Sequence, residues 1–122
     1  DIYKTEVYAL ARWRNEQGRV IPERIITKAP SAELKPDQTD QDSLPEYDVL
    51  DAILTGLVES DTAPDTLVEQ GYDADLVAKI ENMLYRTEYK RRQAPPGVKI
   101  GKKNFGRDRR YPITNKFRAS RK

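Results

Sequence analysis

Apolar residues recur at helical spacing in four stretches of this chain. In 4–15, KTEVYALARWRN, the positions Val7, Leu10 and Ala11 join Tyr3 on one face, with Glu6, Arg12 and Arg14 elsewhere, and Gly18 stands as a stop. In 46–60, EYDVLDAILTGLVES, the stripe is Tyr47, Leu50, Leu54, Leu57 and Val58, and Glu46 and Asp48 suit the positive end of the helix dipole. A short helix is predicted over 64–70, with Thr62 as cap, Pro64 in the first turn and Gly71 after it. Asp73 then caps a longer helix running to Gln93, with Leu76, Ile80, Met83, Leu84 and Thr87 down one side. RIIT, residues 24–27, is short and β-branched and reads as one strand.

Two stretches lack such a pattern. Residues 28–45 hold three prolines among four carboxylates, too irregular for one element, although SAEL could make a helical turn. A loop of this length in a compact domain often serves function. Residues 95–122 combine three prolines and three glycines with many cations. They read as an extended arm, ordered where Phe105, Tyr111, Ile113 or Phe117 finds a pocket.

Charge sharpens this division. Residues 1–85 carry 18 Asp/Glu against 8 Lys/Arg, a net of −10, and residues 86–122 carry 2 against 14, a net of +12. The whole 122-residue chain is therefore only +2. Such asymmetry suits a basic tail for a polyanion, or two parts that dock on each other. Basic residues interleaved with Phe105, Tyr111 and Phe117 have the composition of a single-strand nucleic-acid binder, but no recognised motif spacing accompanies them.

Cysteine and histidine are absent. That removes disulfides, thiolate nucleophiles, histidine bases and the usual zinc sites, and it fits a cytoplasmic protein. No apolar run approaches the length of a membrane span, and no leader pattern is visible. The chain opens Asp-Ile-Tyr-Lys, inside a periodic segment, and reads as a piece of a longer polypeptide.

Candidate chemistry rests on a few side chains. Lys4 opens a helix, where it is either solvated or a phosphate contact. Ser31 either caps the SAEL turn or meets a nucleotide. Asp37, Asp40 and Asp42 are either solvated or Mg²⁺ ligands, without the spacing of a calcium loop. Lys90, Arg91 and Arg92 crowd a helix C-terminus, which favours cations by about 0.3–1 kcal/mol each when exposed. No glycine-rich phosphate loop occurs.

Several runs together resemble the C-terminal part of glutamine-dependent NAD⁺ synthetase, in order and over essentially the whole chain. The most specific are APSAELKPDQTDQDSLPEYDVLD, EYKRRQAPPG and GRDRRYPITNKF. The resemblance implies a mainly α chain with one short strand, forming the C-terminal portion of an adenine-nucleotide α-hydrolase-like α/β (Rossmann-like) synthetase domain. Residues 1–94 would be its helical part and 95–122 a basic arm. The ATP loop and the glutaminase domain would lie upstream.

The activity implied is ATP-dependent amidation of deamido-NAD⁺ through an adenylated intermediate, with ammonia from glutamine. Lys4 and Ser31 would contact ATP, and Lys90, with Tyr89 beside it, deamido-NAD⁺. Ammonia-dependent relatives carry His where Tyr89 stands. The resemblance assigns no catalytic residue here and names no metal ligand. Mg²⁺ and ATP would be bound mainly by residues outside this chain, which alone would be inactive. Residues 35–45 would form a loop that orders over the site. The enzyme would be a homodimer or higher homo-oligomer with the dinucleotide at its interface, with neither membrane nor nucleic acid as partner.

Overall fold

The computed structural model describes residues 2–31, 40 and 44–114. These form six α-helices: α1 (Lys4–Glu16), α2 (Glu23–Thr27), α3 (Tyr47–Leu54), α4 (Pro64–Glu69), α5 (Ala74–Arg86) and α6 (Glu88–Gln93). A π-helical turn, Thr55–Glu59, continues α3. The chain divides into two compact units, Ile2–Ala52 and the part from Ile53 onward.

In the first unit, RIIT is not a strand. It belongs to α2, and among the described residues no strand forms. Pro22, at φ −58°, sets the entry, Glu23 occupies the first turn, and the Thr27 hydroxyl donates back to the Glu23 carbonyl at 3.0 Å. Three β-branched residues favour a strand only if another strand pairs with them. Here Ile26 is buried instead and the segment winds. The α1–α2 connection is fixed by Asn15. Its Oδ1 accepts from the Val20 and Ile21 N–H groups, and its Nδ2 donates to the Ile21 carbonyl. Gly18, at φ +133°, makes the reversal before it.

The second unit holds a denser core. Val77, Ile80 and Leu84 line one side of α5 and are buried together with Ile53, Leu57, Val58, Leu67 and Tyr111. Fully burying such a side chain contributes roughly 1.5–3 kcal/mol. The helix expected over 46–60 is regular only to Leu54. Beyond it the Ser60 N–H reaches the Thr55 carbonyl at 3.1 Å, five residues back. A Cβ on Gly56 would lie 2.8 Å from Leu67 Cδ2, so α4 packs close because that position is glycine. Ala63, rather than Thr62, is the N-cap of α4, with Pro64 at its start as expected. Asp73 caps α5, accepting from the Leu76 N–H at 2.8 Å.

The long helix to Gln93 is also interrupted. Thr87 leaves helical geometry (φ −98°, ψ 4°) and its hydroxyl donates to the Met83 carbonyl at 2.7 Å. This back-bonding loosens a helix. The chain then restarts as α6.

Candidate functional site

Lys4 and Ser31 line one cleft in the first unit, about 610 Å³ in volume, together with Tyr8, Ile25, Lys28 and Pro30. The geometry begins at the N-terminus of α1. Glu6 accepts from the Tyr3 N–H at 2.7 Å and Asp51 accepts from the Thr5 N–H at 2.8 Å. Carboxylates thus already serve the first amides of the helix.

The Lys4 ammonium stands 5.3 Å from the Tyr8 ring centroid and 5.9 Å from that of Tyr47. Aromatic faces hold a cation without neutralising it. Among the described residues Lys4 makes no ion pair, so its charge is available to an incoming anion. The Tyr47 hydroxyl donates to Asp40. Burial first, and then this hydrogen bond to a carboxylate, raise the Tyr47 pKa well above the ordinary tyrosine value.

Tyr89 and Lys90 lie in the second unit, side by side on α6 and exposed, Tyr89 to 49%. What fixes them is their neighbour Glu88, which is 1% exposed. Its carboxylate accepts from Arg91 at 2.9 Å and Arg92 at 3.2 Å. Burial pushes the Glu88 carboxyl up. The hydrogen bonds from Arg91, Arg92 and the Tyr111 backbone outweigh it and hold the group below the ordinary glutamate range.

Arg91 is not a surface cation. Its side chain is 11% exposed and donates to the Thr87 hydroxyl at 2.8 Å and to the Leu84 carbonyl. It also lies 5.1 Å from the Phe105 ring centroid and 5.8 Å from that of Tyr111. The cluster at the end of the helix is therefore divided: Arg91 is structural, and Lys90 points its charge to solvent.

The same unit binds much of the basic arm. Tyr111 packs edge-on to Tyr85 with centroids 4.4 Å apart, and its hydroxyl accepts from Arg109 at 3.2 Å. Arg109 and Lys103 both pair with Asp61, and Lys99 pairs with Asp108 at 2.8 Å. Of the expected anchors, Tyr111 is buried, Phe105 is half-buried and Ile113 is exposed, while Phe117 lies outside the described residues. Most of the loop 35–45 also lies outside them, including Asp37 and Asp42.

Sequence reasoning missed Tyr8, Tyr47 and Lys28 around Lys4 and Ser31, and Asp51 at the start of α1. Tyr8 could have been found, because it lies one helical turn beyond Lys4. The others depend on contacts between distant segments. A Mg²⁺ site is not supplied by the described residues: no group of three or more metal-ligating side chains gathers among them, and the Asp40 carboxylate is taken by Tyr47. No helix among them is long and apolar enough to cross a membrane.

The geometry gives helices that carry a lysine beside aromatic rings in one unit and an exposed lysine in the other, and comparison with known proteins gives the family. The family model for NAD synthase matches residues 1–94, and the chain belongs to that family. It is 51% identical over 120 residues to the glutamine-dependent NAD(+) synthetase of Acinetobacter baylyi, covering 97% of this chain and 22% of that protein. It is 52% identical over 117 residues to the enzyme of the same name from Aquifex aeolicus, covering 96% and 21%. Among solved structures, the glutamine-dependent NAD+ synthetase of Acinetobacter baumannii in complex with ADP aligns at a TM-score of 0.60 and 41% identity, over 99% of this chain and 21% of that one. The chain thus spans about a fifth of the length of the relatives it matches. The nucleic-acid reading of the basic arm gains no support from these matches, and Lys99, Lys103 and Arg109 are already ion-paired within the chain.

Proposed function

We propose that this chain forms the C-terminal part of the synthetase domain of a glutamine-dependent NAD⁺ synthetase. In that reading a carboxylate oxygen of deamido-NAD⁺ attacks the α-phosphorus of ATP and pyrophosphate leaves. Ammonia released from glutamine then attacks the acyl carbon, and AMP leaves with the amide formed. The parent domain is the adenine-nucleotide α-hydrolase-like α/β (Rossmann-like) fold, with residues 1–94 as its helical part and 95–122 as the arm. A glutaminase domain lies elsewhere in the protein. The enzyme acts in the cytoplasm as a homodimer or larger homo-oligomer. Mg²⁺ accompanies ATP, held mainly by residues outside this chain.

The observation that carries the reading is the meeting of Lys4 and Ser31 in one cleft, from segments far apart in sequence. Lys4 contributes a cation that no carboxylate among the described residues neutralises, and Ser31 a hydroxyl that can donate to a phosphate oxygen. Bringing a carboxylate to a triphosphate costs electrostatic repulsion, and preorganised positive charge offsets it. Lys90, with Tyr89 beside it, does the same for the dinucleotide. Their placement on α6 is held by the buried Glu88–Arg91 pair.

The test is Lys90→Ala in the full-length enzyme. Synthetase turnover should fall by about 10²-fold, or about 2.7 kcal/mol of barrier, with glutamine hydrolysis retained. Unchanged rates at both limiting and saturating deamido-NAD⁺ remove Lys90 from the site.

A further inference from the structure

A second cleft, of about 400 Å³, lies in the unit from Ile53 onward and uses none of the four residues discussed above. It opens between the end of α6 and the turn around Asn104. Arg91, Arg92, Arg107 and Arg110 line it, with Pro95, Pro96 and Gly97 on the intervening chain, and no carboxylate among the described residues lines it. We propose that this cleft binds a diphosphate group.

Arginines gathered around one cavity repel one another unless something negative lies among them, and of these Arg91 is already tied to Glu88, Thr87 and Leu84. Glu88 offsets only part of this charge, and it does so from beneath Arg91 and Arg92. Arg92 offers its Nε to Glu88 and remains about half exposed, so part of its guanidinium stays open to solvent. Arg107 makes no side-chain hydrogen bond or ion pair among the described residues. The nearby Asp108 carboxylate pairs with Lys99 and accepts from the Asn104 N–H, and Arg107 acts on it electrostatically without forming an ion pair. The C-terminal end of α6 explains a preference for cations on α6 itself. It does not explain Arg107 and Arg110, which reach the cavity from a separate segment.

That segment is preorganised. The Arg107 and Asp108 N–H groups donate to the Asn104 carbonyl at 3.2 and 2.9 Å, and the Gly106 N–H donates to Asn104 Oδ1 at 3.0 Å. Arg110 Nε donates to the Arg107 carbonyl at 3.2 Å, which fixes its guanidinium and leaves its terminal nitrogens for a ligand. Donors already held in place cost little ordering when an anion arrives. Arginine forks match phosphate oxygens two at a time. Several forks around one cavity therefore fit adjacent phosphates better than a single one. The diphosphate can be free inorganic pyrophosphate or the bridge of a dinucleotide.

Calorimetric titration of the chain at low salt tests this, with helical content checked on the same samples. Inorganic pyrophosphate should bind at about 1 mM or tighter and at least about tenfold more tightly than inorganic phosphate. The double variant Arg107→Gln/Arg110→Gln should lose about tenfold or more, and Lys102→Gln, exposed and outside the cleft, should bind as the parent does. Tighter binding of deamido-NAD⁺, lost in the same double variant, assigns the dinucleotide bridge; binding of pyrophosphate alone assigns the free anion. Equal affinity for phosphate and pyrophosphate, equal weakening by Lys102→Gln, or no binding of either diphosphate by the folded chain overturns the proposal.

Discussion

From Ile53 onward, α4, α5 and Tyr111 close over a core in which Ile53, Val77 and Ile80 are 0–2% exposed. In Ile2–Ala52 the buried apolar side chains among the described residues are Ile26 and Leu50, and α1 has none. Val7, Leu10 and Trp13 on α1 are 41, 52 and 56% exposed. α1 also carries an apolar stripe in sequence, though a weaker one than that of α5. The difference is that α5 has neighbours to cover it within its own unit. A periodic stripe states what a helix needs, and it does not state that this chain provides it. The unit that carries Lys4 and Ser31 is thus the one with the thinner core.

The contrast can be broken by substitution. Ile80→Ala should cost about 2–5 kcal/mol, because α5 cannot collapse onto the cavity left behind. Glu88→Gln should cost about 3 kcal/mol, since it strands the nearly buried Arg91 guanidinium. Leu10→Ala should change stability by less than about 0.5 kcal/mol. Urea unfolding followed by far-ultraviolet circular dichroism ranks the three. A large loss for Leu10→Ala, or a small one for Ile80→Ala, would reverse the comparison.

Proton activity sharpens it from both sides. The Glu88 carboxyl is held below its ordinary range, so the folded chain binds fewer protons there than the unfolded chain. Its contribution is complete above the ordinary glutamate pKa and is lost as pH falls through the lowered folded value. Tyr47 is raised, so its contribution is complete below the ordinary tyrosine pKa and is lost as pH rises through the folded value. The stability gap between the parent and Glu88→Gln should therefore close in acid. The gap between the parent and Tyr47→Phe should close in strong alkali. Trp13, the single tryptophan, reports on the first unit by its fluorescence, and helical circular dichroism reports on both.

Local signals were legible in the sequence. The start of α4 at Pro64, the Asp73 cap and the extent of α1 are each decided within one turn of chain. The errors occurred where distant residues decide. RIIT winds because nothing pairs with it and Ile26 has a place to bury. Thr87 interrupts a helix where Glu88 must turn inward to meet Arg91 and the Tyr111 backbone. The candidate site divided along the same line. Lys4 came from the family resemblance, and Tyr8, one helical turn beyond it, was overlooked although its spacing was there to read, whereas Tyr47 reaches them only because the chain returns after residue 44. Arg91 resembled its two basic neighbours in composition, and only its surroundings show that it is an interior tie.

The π-helical turn at Thr55–Glu59 has a consequence for chain length. It buries the adjacent residues Leu57 and Val58 together, which the added residue in the turn permits. Deleting one residue there would convert the wide turn to ordinary α winding and leave one residue fewer to place Leu57 and Val58 against the core. Insertions and deletions should therefore accumulate in the connecting loops and avoid this turn, where length itself is under constraint.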